Sequence, residues 1–477
     1  MRWSLLCCFL LFSFSSHAQF QYQPVNPSFW LGVLASEADP KNNDIVPAIQ
    51  SRLRRSSPDS LEYSEALLGM AKIMKRDGLT FAATLALTEV IRNRQGTSVA
   101  NQSLIELQEI IKKYPSDLET LIGDLVLDID YEKPPQEVQD FVSFFSGQFN
   151  LRRGFKNWSE KDFKQISVGS YWDFRMKYIR ALEDVKNEKI DSAIERFASL
   201  ANNESVPESI RNDAAHQYAR LVFEKGDYEQ AYNTLLRVSL NPRESGLLLL
   251  ERAWSKYYLQ DYGKSLGHLT ALEAPIFDAS RSPEAYVLKM LIYKELCYYE
   301  AAFSVMDEFK KRFSNSIDAI RKRKNLKQDQ MLVNAALLDE RLGSLAQFYN
   351  LLKDERMSFK DSVWSSGKLG SKMLRDHDLK LSELRAQLNF HLTGPIREVA
   401  NDLLDWQEQI SFLDYQTRVD ALRVISVNSF KPLEKKEVPL TQFNQIFWRF
   451  TGEFWLDELE SLNVNVESQC GKGRGAR

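Results

Sequence analysis

The chain is 477 residues long, 44% hydrophobic and 27% charged, with a formal net charge of −3. This length fits two or more domains or one long array of repeats, and the composition is that of a globular protein. The small net charge creates no overall field that attracts nucleic acid, and no basic stripe interleaved with aromatic residues is present. The sequence therefore predicts no nucleic-acid partner.

The segment Met1–Ala18 has the features of a secretory signal peptide. Arg2 supplies the charged start, and Trp3–Phe14 is apolar apart from two serines. Ser16–Ala18 places small residues at the −3 and −1 positions of a cleavage site before Gln19. The apolar run is shorter than the ~20 residues that span a bilayer, and no later segment reaches that length. The sequence predicts cleavage after Ala18, export to the periplasm and no transmembrane segment in the mature chain.

Two N-terminal regions follow the signal peptide. Residues 19–57 contain prolines among asparagine and glutamine, a composition that predicts an extended lead-in with little regular structure. Residues 58–165 carry apolar residues at helical spacing, for example in Leu61–Lys75 and Leu79–Asn93, which an Asp-Gly pair separates. We expect this second region to form divergent helical hairpins.

Residues 166–313 contain a motif that recurs four times. Its copies are Glu188–Ala193, Gly226–Ala231, Leu259–Ser265 and Cys297–Ala302. Their last residues are spaced by 38, 34 and 37 positions and are small, so that two helices can approach closely. Apolar residues that lie four positions later share a helix face with them: Phe197, Leu235, Leu269 and Met306. The residues twelve positions earlier are expected to pack the first helix on the second: Ala181, Ala219, Ala253 and Met290.

This pattern resembles the tetratricopeptide repeat family, whose unit is two helices in ~34 residues. The second copy, with Gly226 and Tyr228, matches best. The first copy lacks the turn glycine and the aromatic residue, and the fourth has Met290 where the family has a small residue. The resemblance implies an all-α fold, an α-solenoid of tetratricopeptide-like helical hairpins in which stacked neighbours form the core. It also implies a binding scaffold.

In tetratricopeptide proteins the first helix of each hairpin lines a concave groove. The corresponding positions here, the predicted partner-binding residues, are Tyr178, His216, Arg220, Trp254, Tyr257 and Lys294. Aromatic rings beside cations suit a peptide ligand, because the rings supply contact area and the cations orient it. The alternative is that Trp254 and Tyr257 pack into the core or under the C-terminal helices.

Residues 314–430 are predicted to form longer helices. One of them carries apolar residues that alternate spacings of three and four: Ile396, Val399, Leu403, Trp406, Ile410 and Leu413. This heptad spacing lasts for fewer than three heptads, which favours packing against other helices over a free coiled coil.

Residues 431–477 are predicted to be a charged linker and a short aromatic, strand-like tail. Phe447–Leu459 is rich in large aromatic residues, and Leu462, Val464 and Val466 alternate with polar residues, as in a strand. The tail is similar to those of exported tetratricopeptide proteins of gliding and predatory delta-class bacteria. That similarity implies a periplasmic component of a motility or envelope complex.

Cys297 and Cys470 are the only cysteines after Ala18. An exported chain reaches an oxidising compartment, which predicts a disulfide between them; the alternative is two independent thiols. The bond would fold the tail over the last repeat and cap its exposed apolar end, as solenoids require.

Chemistry-bearing motifs are few. The five histidines are not spaced with Cys, Asp or Glu as a zinc site requires, and Asp128–Asp130 lacks the glycine and closing glutamate of a calcium loop. The sequence predicts no enzymatic activity, no metal and no cofactor. It favours a non-enzymatic periplasmic scaffold that binds a protein or peptide partner in the cell envelope, as in a gliding-motility complex. The alternative is a peptidoglycan hydrolase whose helical repeats only place the substrate.

Overall fold

The computed structural model describes residues 20–113, 125, 135–239, 242–427 and 461–470. The predicted signal peptide, the charged linker and the aromatic segment 447–459 lie outside these residues. Every regular element within the described ranges is helical, which confirms the all-α class.

The chain divides into two compact units. The first comprises residues 1–167 and 357–374, and the second comprises residues 168–356 and 375–477. The helices of the first unit are α1 (Pro27–Ala38), α2 (Val46–Arg55), α3 (Leu61–Arg76), α4 (Thr80–Asn93), α5 (Ser98–Lys113), α6 (Gln136–Arg152) and α7 (Lys156–Phe163). Those of the second are α8 (Tyr171–Lys186), α9 (Ile190–Ala201), α10 (Glu208–Glu224), α11 (Tyr228–Leu235), α12 (Pro242–Tyr258), α13 (Tyr262–Ala271), α14 (Pro283–Glu295), α15 (Tyr299–Arg321), α16 (Gln330–Ala336) and α19 (Thr393–Val427). Helices α17 (Glu340–Asp361) and α18 (Gly367–His391) contribute residues to both units.

Residues 19–57 contain two helices, so the prediction of an extended lead-in is wrong. The side chain of Asn26 caps α1 by accepting a hydrogen bond from the Phe29 amide at 3.0 Å. Pro27 and Pro47 stand in the first turns of α1 and α2. Because the first amides of a helix have no intrahelical acceptor, a proline at that point removes no hydrogen bond and can start a helix.

Six helical hairpins among the described residues share one turn geometry. They are α3–α4, α6–α7, α8–α9, α10–α11, α12–α13 and α14–α15. In each, a residue with positive φ follows the first helix: Gly78, Gly154, Glu188, Gly226, Gln260 and Cys297. The next amide donates to the carbonyl five residues earlier, as Asp227 does to Val222 at 3.0 Å. This hydrogen bond is characteristic of a Schellman motif, which satisfies the last carbonyls of the first helix.

The six hairpins also share their packing positions. The residue five positions after each turn is fully buried: Ala83, Ser159, Ala193, Ala231, Ser265 and Ala302. So is the larger apolar residue one helical turn further on: Leu87, Phe163, Phe197, Leu235, Leu269 and Met306. The core positions predicted for residues 166–313 are therefore buried as expected. Two hairpins of the first unit repeat the same pattern.

Helix α19 covers the last hairpin. The buried residues of its apolar stripe are Ile396, Leu403, Ile410 and Leu413, and they share one cluster with Phe309 and Phe313 of α15 and Leu332 of α16. The predicted packing of this stripe on other helices is confirmed.

The C-terminal segment 461–470 is extended and lies along α13. Leu462, Val464 and Val466 pack against the apolar cluster of α12, α13 and α14, and the polar residues between them are exposed. The amide of Val464 donates to the carbonyl of Gly263 at 3.0 Å. A Cβ atom at position 267 would lie 2.0 Å from the carbonyl oxygen of Leu462, so only glycine allows this approach.

Cys297 and Cys470 form the predicted disulfide, with an S–S distance of 2.03 Å and Cα atoms 5.2 Å apart. Residues 461–470 lie on α13 and reach the turn of the last hairpin, where the hydroxyl of Tyr298 donates to the carbonyl of Glu467 and the amide of Gln469 donates to that of Leu296, both at 2.9 Å. The predicted cap by the aromatic segment 447–459 lies outside the described residues. Helix α19 buries the apolar surface of α14 and α15. Gly263 and Gly267 allow the tail backbone to pack closely on α13.

Candidate functional site

The six predicted partner-binding residues lie on the first helices of consecutive hairpins in the second unit. Tyr178 is on α8, His216 and Arg220 are on α10, Trp254 and Tyr257 are on α12, and Lys294 is on α14. We call this surface the first-helix face. His216, Arg220, Trp254, Tyr257 and Lys294 each reach a carboxylate on another helix, as described below. The ring of Tyr178 packs on Phe197 within its own hairpin, with centroids 5.6 Å apart.

Glu251 joins α10 to α12. One carboxylate oxygen lies 2.7 Å from Nε2 of His216, and the other accepts from Nε of Arg220 at 2.8 Å. Burial alone would raise the pKa of Glu251. The hydrogen bonds and charges of His216 and Arg220 outweigh that effect and hold this pKa below its usual range. Glu251 is therefore an ionised link between two first helices.

Two further glutamates join α12 to α14. The indole nitrogen of Trp254 donates to Glu284 at 2.7 Å. The hydroxyl of Tyr257 donates to one oxygen of Glu295 at 2.5 Å, and that of Tyr262 to the other at 2.6 Å. Burial and the hydrogen bond to Glu295 raise the pKa of Tyr262 to about 12. Both tyrosines therefore remain neutral donors at ordinary pH.

Lys294 faces α19 instead of another hairpin. Its Nζ lies 3.7 Å from a carboxylate oxygen of Asp420, a loose ion pair. Helix α19 therefore contacts the first-helix face at its α14 end. A partner that binds Lys294 must compete with Asp420 for the charge of this lysine.

An aromatic patch lies at the centre of the face. Tyr258 is 47% exposed, stacks on Tyr228 with centroids 4.5 Å apart and packs on Trp254 at 5.9 Å. As the alternative expectation has it, Trp254 and Tyr257 pack partly against the core cluster of α12–α14. Tyr258 is exposed and the side chain of Arg220 is partly exposed, so an aromatic ring and a cation remain accessible to solvent beside them.

Sequence reasoning missed Tyr258 and the glutamates at positions 251, 284 and 295. The available signal was the repeat itself, since Glu251 stands 35 and 31 residues after His216 and Arg220. Those separations are close to one repeat and predict that the side chains face each other on adjacent first helices.

Other chemistry is limited in the part of the chain that the structure describes. There, no group of three His, Cys, Asp or Glu side chains is arranged to hold a metal ion. None of the described helices has both the length and the apolar character needed to cross a membrane. No protein-family model matches the chain, and no curated protein matches it in sequence. A functional assignment must therefore come from the geometry of the first-helix face.

Proposed function

We propose that this protein is a non-enzymatic, tetratricopeptide-like solenoid that is exported to the periplasm and binds a protein partner through its first-helix face. The complex that it serves is one of the cell envelope, such as a gliding-motility complex. The observation that carries the proposal is the row of aromatic and basic side chains on consecutive first helices, held in place by Glu251, Glu284 and Glu295.

The arrangement suits recognition for a physical reason. The glutamates fix the rotamers of Arg220, Trp254 and Tyr257, so that little side-chain entropy remains to be lost when a partner binds. Aromatic and arginine side chains of this kind are the commonest binding hot spots. The hairpin register supports a repeat scaffold, since a small residue, alanine or serine, is buried at the corresponding position of each of the six described hairpins.

Partner capture tests the proposal. Replacing Arg220 and Trp254 by alanine is expected to reduce capture at least ~10-fold, because hot-spot residues contribute about 2 kcal/mol or more. The measurement is quantitative mass spectrometry of envelope proteins retained by the immobilised mature chain. Because Trp254 also holds Glu284, a second variant, Arg220→Gln with Trp254→Phe, keeps more of the packing and should give the same loss.

A matched control is available on other surfaces. Trp158 is 71% exposed on α7, and Arg237 is exposed after α11, so the pair Trp158→Ala with Arg237→Ala removes the same residue types. The control should retain wild-type capture. Equal capture by all variants would refute the first-helix face as the binding surface. Release of soluble fragments from purified cell wall by the protein alone would instead support the hydrolase alternative.

Export makes a separate prediction. We expect Met1–Ala18 to be removed, because its charged start, apolar run and small residues match a cleavable signal peptide. Mass spectrometry of the protein from its native cells should find Gln19 as the first residue. A mature protein that begins at Met1 would contradict export by this route.

A further inference from the structure

A cleft of about 470 Å³ lies in the second unit, where the start of α14 and the end of α15 meet α16 and α19. Its floor is apolar and is formed by Phe313, Leu332 and Leu403 of the buried cluster beneath α19. Trp406 of α19 is partly buried and lines the wall. The volume falls within the range of about 300–1,000 Å³ that is typical of ligand-binding pockets.

The two arginines that line the cleft are held by contacts at its edge. Arg312 donates to a carboxylate oxygen of Asp278 at 2.7 Å and to its backbone carbonyl at 2.5 Å. Arg281 donates to the carbonyls of Leu272 and Glu273 at 3.3 and 2.5 Å. Arg281 also lies 3.7 Å from the Asp278 carboxylate, so the two guanidinium groups share this acid and are oriented by contacts at the edge of the cleft.

Three acidic residues of the cleft have no cationic partner among the described residues. Asp402 and Asp405 are exposed, one helical turn apart on α19, and among the described residues no cation lies within ion-pair distance of either. Glu284 accepts its hydrogen bond from the neutral indole of Trp254, and its burial raises its pKa. The cleft therefore combines an apolar floor with three carboxylates that lack a cationic partner in the described chain.

We propose that this cleft binds an arginine side chain of the protein partner, with an apolar residue beside it in the partner's chain. The proposal rests on the proposed scaffold function and specifies the chemistry of the partner. A guanidinium group presents parallel N–H donors that can meet the carboxylates of Asp402 and Asp405, and its planar face stacks on an indole such as Trp406. The apolar floor accepts the aliphatic stem and the neighbouring apolar side chain.

The cleft also extends the first-helix face. Glu284 belongs to both, because it lines the cleft and accepts from Trp254 of the face. A partner peptide that lies across the aromatic patch near Tyr258 can continue past Trp254 to the cleft. The aromatic patch then supplies contact area, and the cleft fixes the direction and position of the peptide.

A peptide library tests the proposal directly. The probe is an immobilised hexapeptide set with one fixed central residue (arginine, citrulline or glutamate) and flanking positions mixed from leucine, valine, phenylalanine, serine and glycine. We expect the full-length mature protein to bind the arginine set at least ~10-fold more strongly than the citrulline set, since citrulline has the same shape without the charge. Binding to the arginine set should weaken as salt is raised.

Substitutions in the cleft locate the site. Asp402→Asn with Asp405→Asn should abolish the preference for arginine over citrulline, and Trp406→Leu should weaken binding of the arginine set. The matched control is Glu408→Gln, which removes an exposed carboxylate of α19 that does not line the cleft. Circular dichroism at 222 nm verifies that each variant remains folded.

The outcomes separate this inference from the proposed function. Equal binding of the arginine and citrulline sets, or an arginine preference that survives in the double aspartate variant, would overturn the cleft assignment. If that variant still captures the envelope partner that wild type captures, the scaffold function stands and the cleft is not its anchor. If wild type captures no partner but shows an arginine preference that depends on Asp402 and Asp405, the cleft assignment stands and the scaffold function fails.

Discussion

Replacing Cys297 and Cys470 together by serine is expected to lower the free energy of unfolding of the second unit by about 4–5 kcal/mol. The disulfide joins residues 173 positions apart, so it removes a large loop-closure entropy from the unfolded chain. It also holds residues 461–470 on α13 and on the end of α14, where the amide of Val464 donates to the carbonyl of Gly263 at 3.0 Å and that of Gln469 to the carbonyl of Leu296 at 2.9 Å. Denaturant unfolding of the oxidised protein and the variant measures the difference.

Wild-type protein treated with a dithiol reductant is the matched control and should unfold like the double-serine variant. Hydrogen exchange should become faster in residues 461–470 and along α13, whose residues 265–269 are buried in the intact protein. Slow exchange there in the variant, together with unchanged stability, would show that the tail is held without the disulfide.

Replacing Glu106 of α5 by alanine is expected to lower the free energy of unfolding of the first unit by about 3–5 kcal/mol. Glu106 is buried between Lys72, whose Nζ lies 2.5 Å away, and Lys75, which pairs with its other oxygen. Without Glu106, Lys72 keeps the carboxylate of Glu37 at 2.9 Å and remains largely buried. Glu109→Ala is the control: its carboxylate is more than half exposed and pairs with Lys112, so its loss should cost well under 1 kcal/mol. A cost for Glu106→Ala as small as the control's would contradict the buried-pair account.

The same network predicts a dependence of stability on pH. Burial would raise the pKa of Glu106, but the charges and hydrogen bonds of Lys72 and Lys75 more than offset it and hold the pKa below its ordinary value. The stabilisation is therefore fully present above the ordinary carboxyl pKa of about 4.3 and is lost as the pH falls through the lower folded pKa. The difference in stability between wild type and Glu106→Ala should shrink below pH 4.

The helical hairpins and their packing positions could be predicted from the sequence because they depend on local spacing. A small residue followed four positions later by an apolar one, as at Ala231 and Leu235, places both on one face of a helix wherever the helix lies. The apolar stripe of α19 could be predicted because its residues are regularly spaced. The disulfide could be predicted because only two cysteines remain after the predicted signal peptide. The candidate partner-binding residues could be placed on first helices by the same register.

Other features required the tertiary structure. Gln260 and Cys297 have positive φ although neither is glycine, because the Schellman hydrogen bonds of the hairpin demand that conformation. The carboxylates that pair with Arg220 and Trp254 come from the next hairpin along the chain, so no pattern within a single helix marks them, and only a spacing of about one repeat relates them. The cleft that Trp406 lines is formed by the packing of α19 on the last hairpin and on α16.

The sequence by itself determined the all-helical class, the hairpin register and the disulfide partners, because each depends on residue type at a fixed spacing or on elimination. Only the tertiary structure decided where residues 461–470 lie, which acids hold the first-helix face and which carboxylates of the cleft have no cationic partner among the described residues. Those features depend on distances between helices that are remote in sequence, such as the close approach of Leu462 to Gly267. Such distances are set by how whole helices pack, and a one-dimensional pattern does not encode them.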